Sequence, residues 1–249
     1  YVWRPHAETM TRLRREDERL IDCTVRHDTA YCLQEAPVQP RRVVAIDLRT
    51  VTGSFQGTIQ YSRIAGNGVG IRAETGQQIH HNLVYRNTTA GVLISGRSGV
   101  GLYQNTFYAP QGDNVRIQTA SSGVEVIGNI FWAESGYDLY VANDSQAGFF
   151  SDYNDLYASG TGKVGYWTKD FTDVLDWQAD IARFDLHSIG ATVVNPQWAR
   201  PAFFDLHADD FRLRDPVAGL RFTSPSVDMA DVRLDRALPP GYANLLTNY

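Results

Sequence analysis

The sequence predicts an all-β fold in which short strands stack as the coils of a parallel β-helix, closed by a C-terminal cap containing a short helix. Three observations carry this. "IHHNLVY" (79–85), "GLYQNTFY" (101–108), "VIGNIFW" (126–132) and "SDYNDLY" (151–157) each run from an Asn through a variable residue to an apolar residue and an aromatic. The asparagines, Asn82, Asn105, Asn129 and Asn154, are separated by 23, 24 and 25 residues. A second strand signal starts ten residues after each Asn: "VLI" (92–94), "VRI" (115–117), "LYV" (139–141) and "VGY" (164–166). Each segment alternates with period two, as a short strand with one buried side does.

A period in the low twenties with several strands per unit implies a stacked solenoid. Amphipathic helices of the length a helical solenoid needs are absent from the repeat, so the strands themselves must stack, each coil adding about 4.8 Å. The repeated Asn is expected at a tight bend, where it tolerates left-handed backbone. Stacked on its copies, its amide can bond the amides above and below. Ser62 in "IQYSRIAGN" and Cys23 in "LIDCTVRHD" hold the same place in earlier coils.

One coil begins near Leu20, after the charged run "RLRREDER" (12–19). The segment "EAPVQPRRVVAIDLRTVTGSFQG" (35–57) is an excursion in which "VVAIDL" (43–48) reads as the third strand of that coil. Its Pro37 and Pro40 suggest a protruding loop. Regular coils run from about Ile59 to Trp167. Residues 172–183 then change period. Val174, Trp177 and Ile181 fall at helical spacing behind Thr172 or Asp173 as N-cap, so a helix should cover the open end of the stack. The expected organisation is coils over 1–171, truncated at the N-terminal end, a cap over 172–232 and a linker or tail over 233–249.

Lys plus Arg number 23 against 28 Asp plus Glu, a net charge of −5, which argues against general nucleic-acid binding. No apolar run reaches membrane-spanning length. Two cysteines, Cys23 and Cys32, make neither a disulfide framework nor a metal cluster.

"IHHNLVYRNTTAGVLI", "LYQNTFYAPQGDNVRI" and "VIGNIFWAESGYDLYV" resemble the repeat of right-handed parallel β-helix proteins of the pectate-lyase-like superfamily. The run from "SDYNDLY" to "SPSVDMAD" is similar to the terminal cap of such proteins. The resemblance implies a right-handed helix on a secreted or cell-surface bacterial protein that acts on or binds a polysaccharide. It leaves open a uronate-polymer lyase, a mannuronan-type epimerase and a non-catalytic scaffold such as an adhesin, fibre or spike segment, since the fold hosts all of these. Further domains of the same parent chain are also expected. In the tail, "NLLTN" (244–248) resembles the opening of carbohydrate-binding modules.

Chemistry should sit on outward positions. The strand after each Asn exposes Tyr85, Tyr108, Trp132 and Tyr157, either a track for sugar rings or an internal stack of neighbouring aromatics. The later strand resembles the groove strand of the family's enzymes. Alternation gives it three outward columns: Gly68, Gly91, Asn114, Asp138, Lys163; Gly70, Leu93, Arg116, Tyr140, Gly165; and Arg72, Ser95, Gln118, Ala142, Trp167. Here Arg116 would neutralise a uronate carboxylate, Lys163 or Tyr140 would remove the adjacent proton, and Asn114 and Arg72 would bind substrate. Asp113 with Asp138 would hold Ca²⁺, the one cofactor the reading suggests. The alternative is that Asp138 and Lys163 form a cross-strand ion pair of little net worth. No two carboxylates align on neighbouring coils as a hydrolase would need. His80 and His81, being adjacent, should diverge.

Overall fold

Each regular coil contributes one strand to each of three parallel sheets. The coil beginning at Glu125–Ile127 turns at Gly128 and Asn129, continues as Ile130–Ala133, turns again, and runs as Tyr137–Val141 before returning to Phe150–Asp152. This computed structural model describes residues 57–181, 184–197, 199–214 and 224–226, together with the backbone of Arg19–Arg26, Thr29–Ala36 and Gln39–Asp47. The sheets have five, nine and six strands, and their coil strands pair in register from one coil to the next, for example Leu102 with Val126 and Phe107 with Phe131. The sequence readings of residues 1–18, of the 233–249 tail and of the cysteine side chains lie outside the described residues.

The interior is a set of apolar columns. Ile79, Leu102 and Val126 form one, Val84, Phe107, Phe131 and Leu156 a second, and Val92, Val115 and Leu139 a third, all buried. The Phe107 and Phe131 rings stack at 4.9 Å and 6°. In-register stacking turns a sequence repeat into a continuous core, because each coil alone buries too little.

The asparagine column is an amide ladder. The Asn82 carboxamide oxygen accepts the Ser62 backbone amide, Asn105 serves Asn82 in the same way, Asn129 serves Asn105, and Asn154 serves Asn129. The side-chain amides also donate along the column, Asn82 to Asn105 at 3.0 Å and Asn105 to Asn129 at 3.0 Å. In backbone register, Cys23 precedes Thr24 as Ser62 precedes Arg63. The bend itself corrects the expectation for Asn. The left-handed residue is the one before it: Tyr61 (φ 52°), His81 (54°), Gln104 (51°), Gly128 (69°) and Tyr153 (57°). The Asn stays out of that region; its oxygen accepts from the coil before, and its amide donates both to a carbonyl of that coil and to the Asn of the next. Left-handed His81 also changes the imidazole geometry. The Nδ1 atoms of His80 and His81 lie 2.9 Å apart, so adjacent side chains that should diverge instead meet.

The N-terminal strands depart from the coil pattern. Arg19–Arg26 pairs in parallel with Arg63–Ala65, but Thr29–Ala36 and Gln39–Asp47 follow it as an antiparallel meander. The described part of "VVAIDL", Val43 to Asp47, is therefore no third coil strand, and the Pro37 connection lies outside the described residues. Two residues link each strand to the next, and a parallel crossover needs a dozen or more.

The short helix expected after the coils forms within 172–183. Val174–Ile181 is helical, and the Asp173 carboxylate accepts the Leu175 amide at 2.7 Å as its N-cap. Trp177 is fully buried, its indole N–H donating to Asp185 at 2.9 Å. The chain after the helix adds part of another coil. The Ser188 hydroxyl accepts the Asn154 amide, and Ile189–Gly190 pairs with Asp155 and Leu156. The ladder therefore ends on a side chain instead of an open edge.

Candidate functional site

The six-stranded sheet places one continuous outward row on five coils: Arg72, Leu93, Arg116, Tyr140 and Tyr166. This differs from the columns drawn from the sequence. Arg72 joins the Arg116 row, Tyr166 takes the place given to Gly165, and Lys163 aligns with Tyr137. Period-two alternation is unforgiving of a single inserted residue, which moves a side chain to the other face. The turn of residues 159–162 supplies that change of count before the last strand.

Around this row the side chains form a closed cluster. The Arg116 guanidinium lies 3.9 Å from the Tyr140 ring centre, and the Tyr140 and Tyr166 rings stack at 4.7 Å and 13°. Tyr137 meets both edge-on, at 5.3 and 6.1 Å. Arg116 Nε is 2.6 Å from Asp113, whose other oxygen accepts the Tyr137 amide. Lys163 lies over the Tyr137 ring and 3.5 Å from Asp170, which also accepts the Tyr137 hydroxyl at 2.7 Å. Burial and the Asp170 carboxylate push the Tyr137 phenol up to about 12, and burial raises the Asp113 carboxyl against the pull of Arg116. The sequence reading missed Tyr137, Tyr166 and Asp170. The aromatic spacing of "YDLY" (137–140) was the available signal for Tyr137.

Asn114 and Asp138 are not on this face. Both are buried, and the Asn114 amide donates to Asp138 at 2.9 Å. A Cβ on Gly91, one coil earlier, would come within 3.2 Å of the core side chain Val84, so this column faces inward. Asn67 and Asn87 bond to each other by the same amide pattern. The strand begins before the corner is complete, so the first alternating position still points to the interior. Asp138 is thus neither a substrate contact nor an ion-pair partner of Lys163. Burial pushes its carboxyl well above the usual range, the Asn114 hydrogen bond opposes this, and nearby Asp155 adds to it. Asp113 spends its oxygens on Arg116 and Tyr137, so the Asp113–Asp138 pair does not converge on one cation. Among the described residues no group of three or more His, Cys, Asp or Glu has metal-binding geometry.

The second aromatic column is covered. Tyr108, Trp132 and Tyr157 are buried, and Tyr85 is half-buried. The hairpin of Phe203–Asp205 and Asp210–Leu213 lies over them. Phe211 packs on Tyr85 at 4.9 Å, Phe203 on Trp132 at 6.1 Å, and the Arg200 guanidinium sits 5.0 Å from the Trp132 ring. Of the two sequence readings of this column, the geometry is that of internal packing.

Residues 49–160 match a family described as a right handed beta helix region. The coils are a right-handed parallel β-helix. No curated protein and no solved structure matches the chain. The β-helix fold is shared by enzymes that act on polysaccharides and by other proteins. No helix among the described residues is long and apolar enough to cross a membrane.

Proposed function

We propose that this β-helix belongs to a secreted or cell-surface protein and recognises an extended polysaccharide along the Arg72–Tyr166 row without cleaving it. The observation that carries this is the pair of open phenols. The hydroxyls of Tyr140 and Tyr166 have no hydrogen-bond partner among the described residues, and their rings stand on successive coils 4.7 Å apart. The Gln118 side-chain amide and the Arg72 guanidinium are likewise without partners among the described residues, and both reach the surface. Coils rise about 4.8 Å each, close to the length of one pyranose unit, so a sugar chain lying along the axis meets one such group after another. The resemblance to pectate-lyase-like repeats supports the same substrate class.

Elimination or epimerisation at a uronate needs an open cation for the carboxylate and a base for the adjacent proton. Arg116 is held on Asp113 and Lys163 on Asp170, which favours recognition over chemistry. The test is a polysaccharide array followed by affinity measurement with Tyr140→Phe and Tyr166→Phe. Each lost hydrogen bond is worth about 1 kcal/mol, so the double change should weaken binding by roughly thirtyfold. Unsaturated product absorbing in the ultraviolet, or binding indifferent to both changes, would overturn the reading.

A further inference from the structure

We infer that Asp113 and Asp170 are specificity-determining residues that tie up Arg116 and Lys163, the two cations of the aromatic cluster, so that this stretch of the row takes neutral pyranose polymers and turns away uronate polymers. The inference rests on the polysaccharide reading above and names its substrate class.

Two cations lie in or beside the aromatic cluster, and each has a carboxylate partner, buried for Arg116 and exposed for Lys163. Asp113 is buried, holds Arg116 at 2.6 Å, and is itself fixed by the Tyr137 backbone amide at 3.1 Å. The guanidinium is further immobilised over the Tyr140 ring. Asp170 holds Lys163 at 3.5 Å and the Tyr137 hydroxyl at 2.7 Å. At the neighbouring corner Arg97 is paired with Glu74 at 2.7 Å. Arg72 remains without a partner among the described residues, two coils from Arg116. A uronate polymer carries one carboxylate per sugar, so along this row it would meet Asp113 and Asp170 beside cations already neutralised. Arg116 already spends its Nε on Asp113, whose charge offsets that of the guanidinium and weakens its pull on a second carboxylate. A neutral sugar asks only for hydrogen-bond donors and acceptors, which the two phenols and Gln118 supply. The arrangement therefore discriminates by charge, and the repulsive element is as specific as the attractive one.

The experiment compares neutral polymers (xylan, galactan, mixed-linkage glucan) with polygalacturonate and alginate, each at low and high NaCl. The wild-type protein should bind a neutral polymer with an affinity that salt leaves unchanged. Asp113→Asn keeps a carbonyl acceptor for the Tyr137 amide while releasing Arg116, and Asp170→Asn releases Lys163. The double variant should gain at least about tenfold in uronate affinity, lost again at high salt. Adding Arg116→Gln to it should reverse most of the gain. Salt-sensitive uronate binding by the wild type would overturn the inference and leave the polysaccharide reading standing. So would a folded double variant with no gain, its fold checked by circular dichroism. Absence of binding to any polymer would remove the polysaccharide reading, and this inference with it.

Discussion

Asn105 donates both its backbone amide and its side-chain amide to one oxygen of Asn129, at 2.9 and 3.0 Å. The Asn129 amide in turn donates to the Leu102 carbonyl at 2.9 Å and to Asn154 at 3.2 Å. One buried side chain therefore satisfies polar groups on the coils either side of its own. Asn129→Leu leaves the Asn105 backbone amide unpaired and takes one donor from the Leu102 carbonyl, at about 1–3 kcal/mol for the amide alone. Chemical denaturation should show a loss in that range or above it. A variant as stable as wild type would show that the ladder is not what holds the corner.

Trp177 joins cap and coils. A Cβ on Gly165 would come within 2.4 Å of its ring, which also meets Phe171 edge-on at 5.3 Å. Trp177→Ala should cost about 3–5 kcal/mol. It also leaves Asp185, which accepts its indole N–H, short of one partner in a fully buried site. Gly165→Ala should destabilise as well, by overpacking. Size-exclusion chromatography should show both variants self-associating as the covered strand edge opens. Monomeric variants with unchanged melting would remove the cap from the stability argument.

The interior gives stability two opposed pH dependences. Burial raises the Asp138 and Asp155 carboxyls, so the folded state holds their protons more tightly than the unfolded state does. Their contribution is fully present below the ordinary Asp range and is lost as pH rises towards the folded values. Asn114, the Ala133 amide and Asp155 face Asp138, and Ser226 faces Asp155. Asp138→Asn should gain on wild type as pH rises from 4 to 9 (values about the ordinary carboxyl range and well above it). A difference independent of pH would show that this carboxyl is ionised in both states.

His80 runs the other way. Burial, with the adjacent His81, lowers it to about 4. The unfolded state then binds the proton first, so stability is full above the ordinary His range and falls as pH drops towards about 4. A nuclear magnetic resonance titration should show a His80 ring that stays neutral through pH 6. His80→Gln should flatten the acid limb of the stability curve, and an unchanged limb would assign it to other groups.

The two aromatic columns should separate stability from binding. Trp132 is buried under the cap hairpin, its indole N–H donating to Ser159 at 2.9 Å, so Trp132→Ala should cost about 3–5 kcal/mol. Tyr140→Phe removes only a surface hydroxyl and should leave melting within about 0.5 kcal/mol of wild type while weakening glycan binding. Thermal melts and binding isotherms on the same two proteins read both effects. The reverse pattern would return the binding role to the covered column.

The sequence by itself determined the repeat, the ladder and the capping helix. In a solenoid each coil contacts its neighbours in register, so Asn82, Asn105, Asn129 and Asn154 stack because their spacing is that of one coil. Helical spacing likewise placed Trp177 on the buried side of its helix. Only the tertiary structure decided which outward positions are open. Tyr108 and Trp132 follow the alternation faithfully, yet a hairpin about seventy to a hundred residues later in the chain covers them, and local pattern holds no trace of so distant a contact. Asn114 and Asp138 face the core because the corner extends one residue into the strand. The Tyr140–Tyr166 row depends on a single change of count in the last turn, which moves a side chain across the sheet while leaving the sequence pattern equally regular.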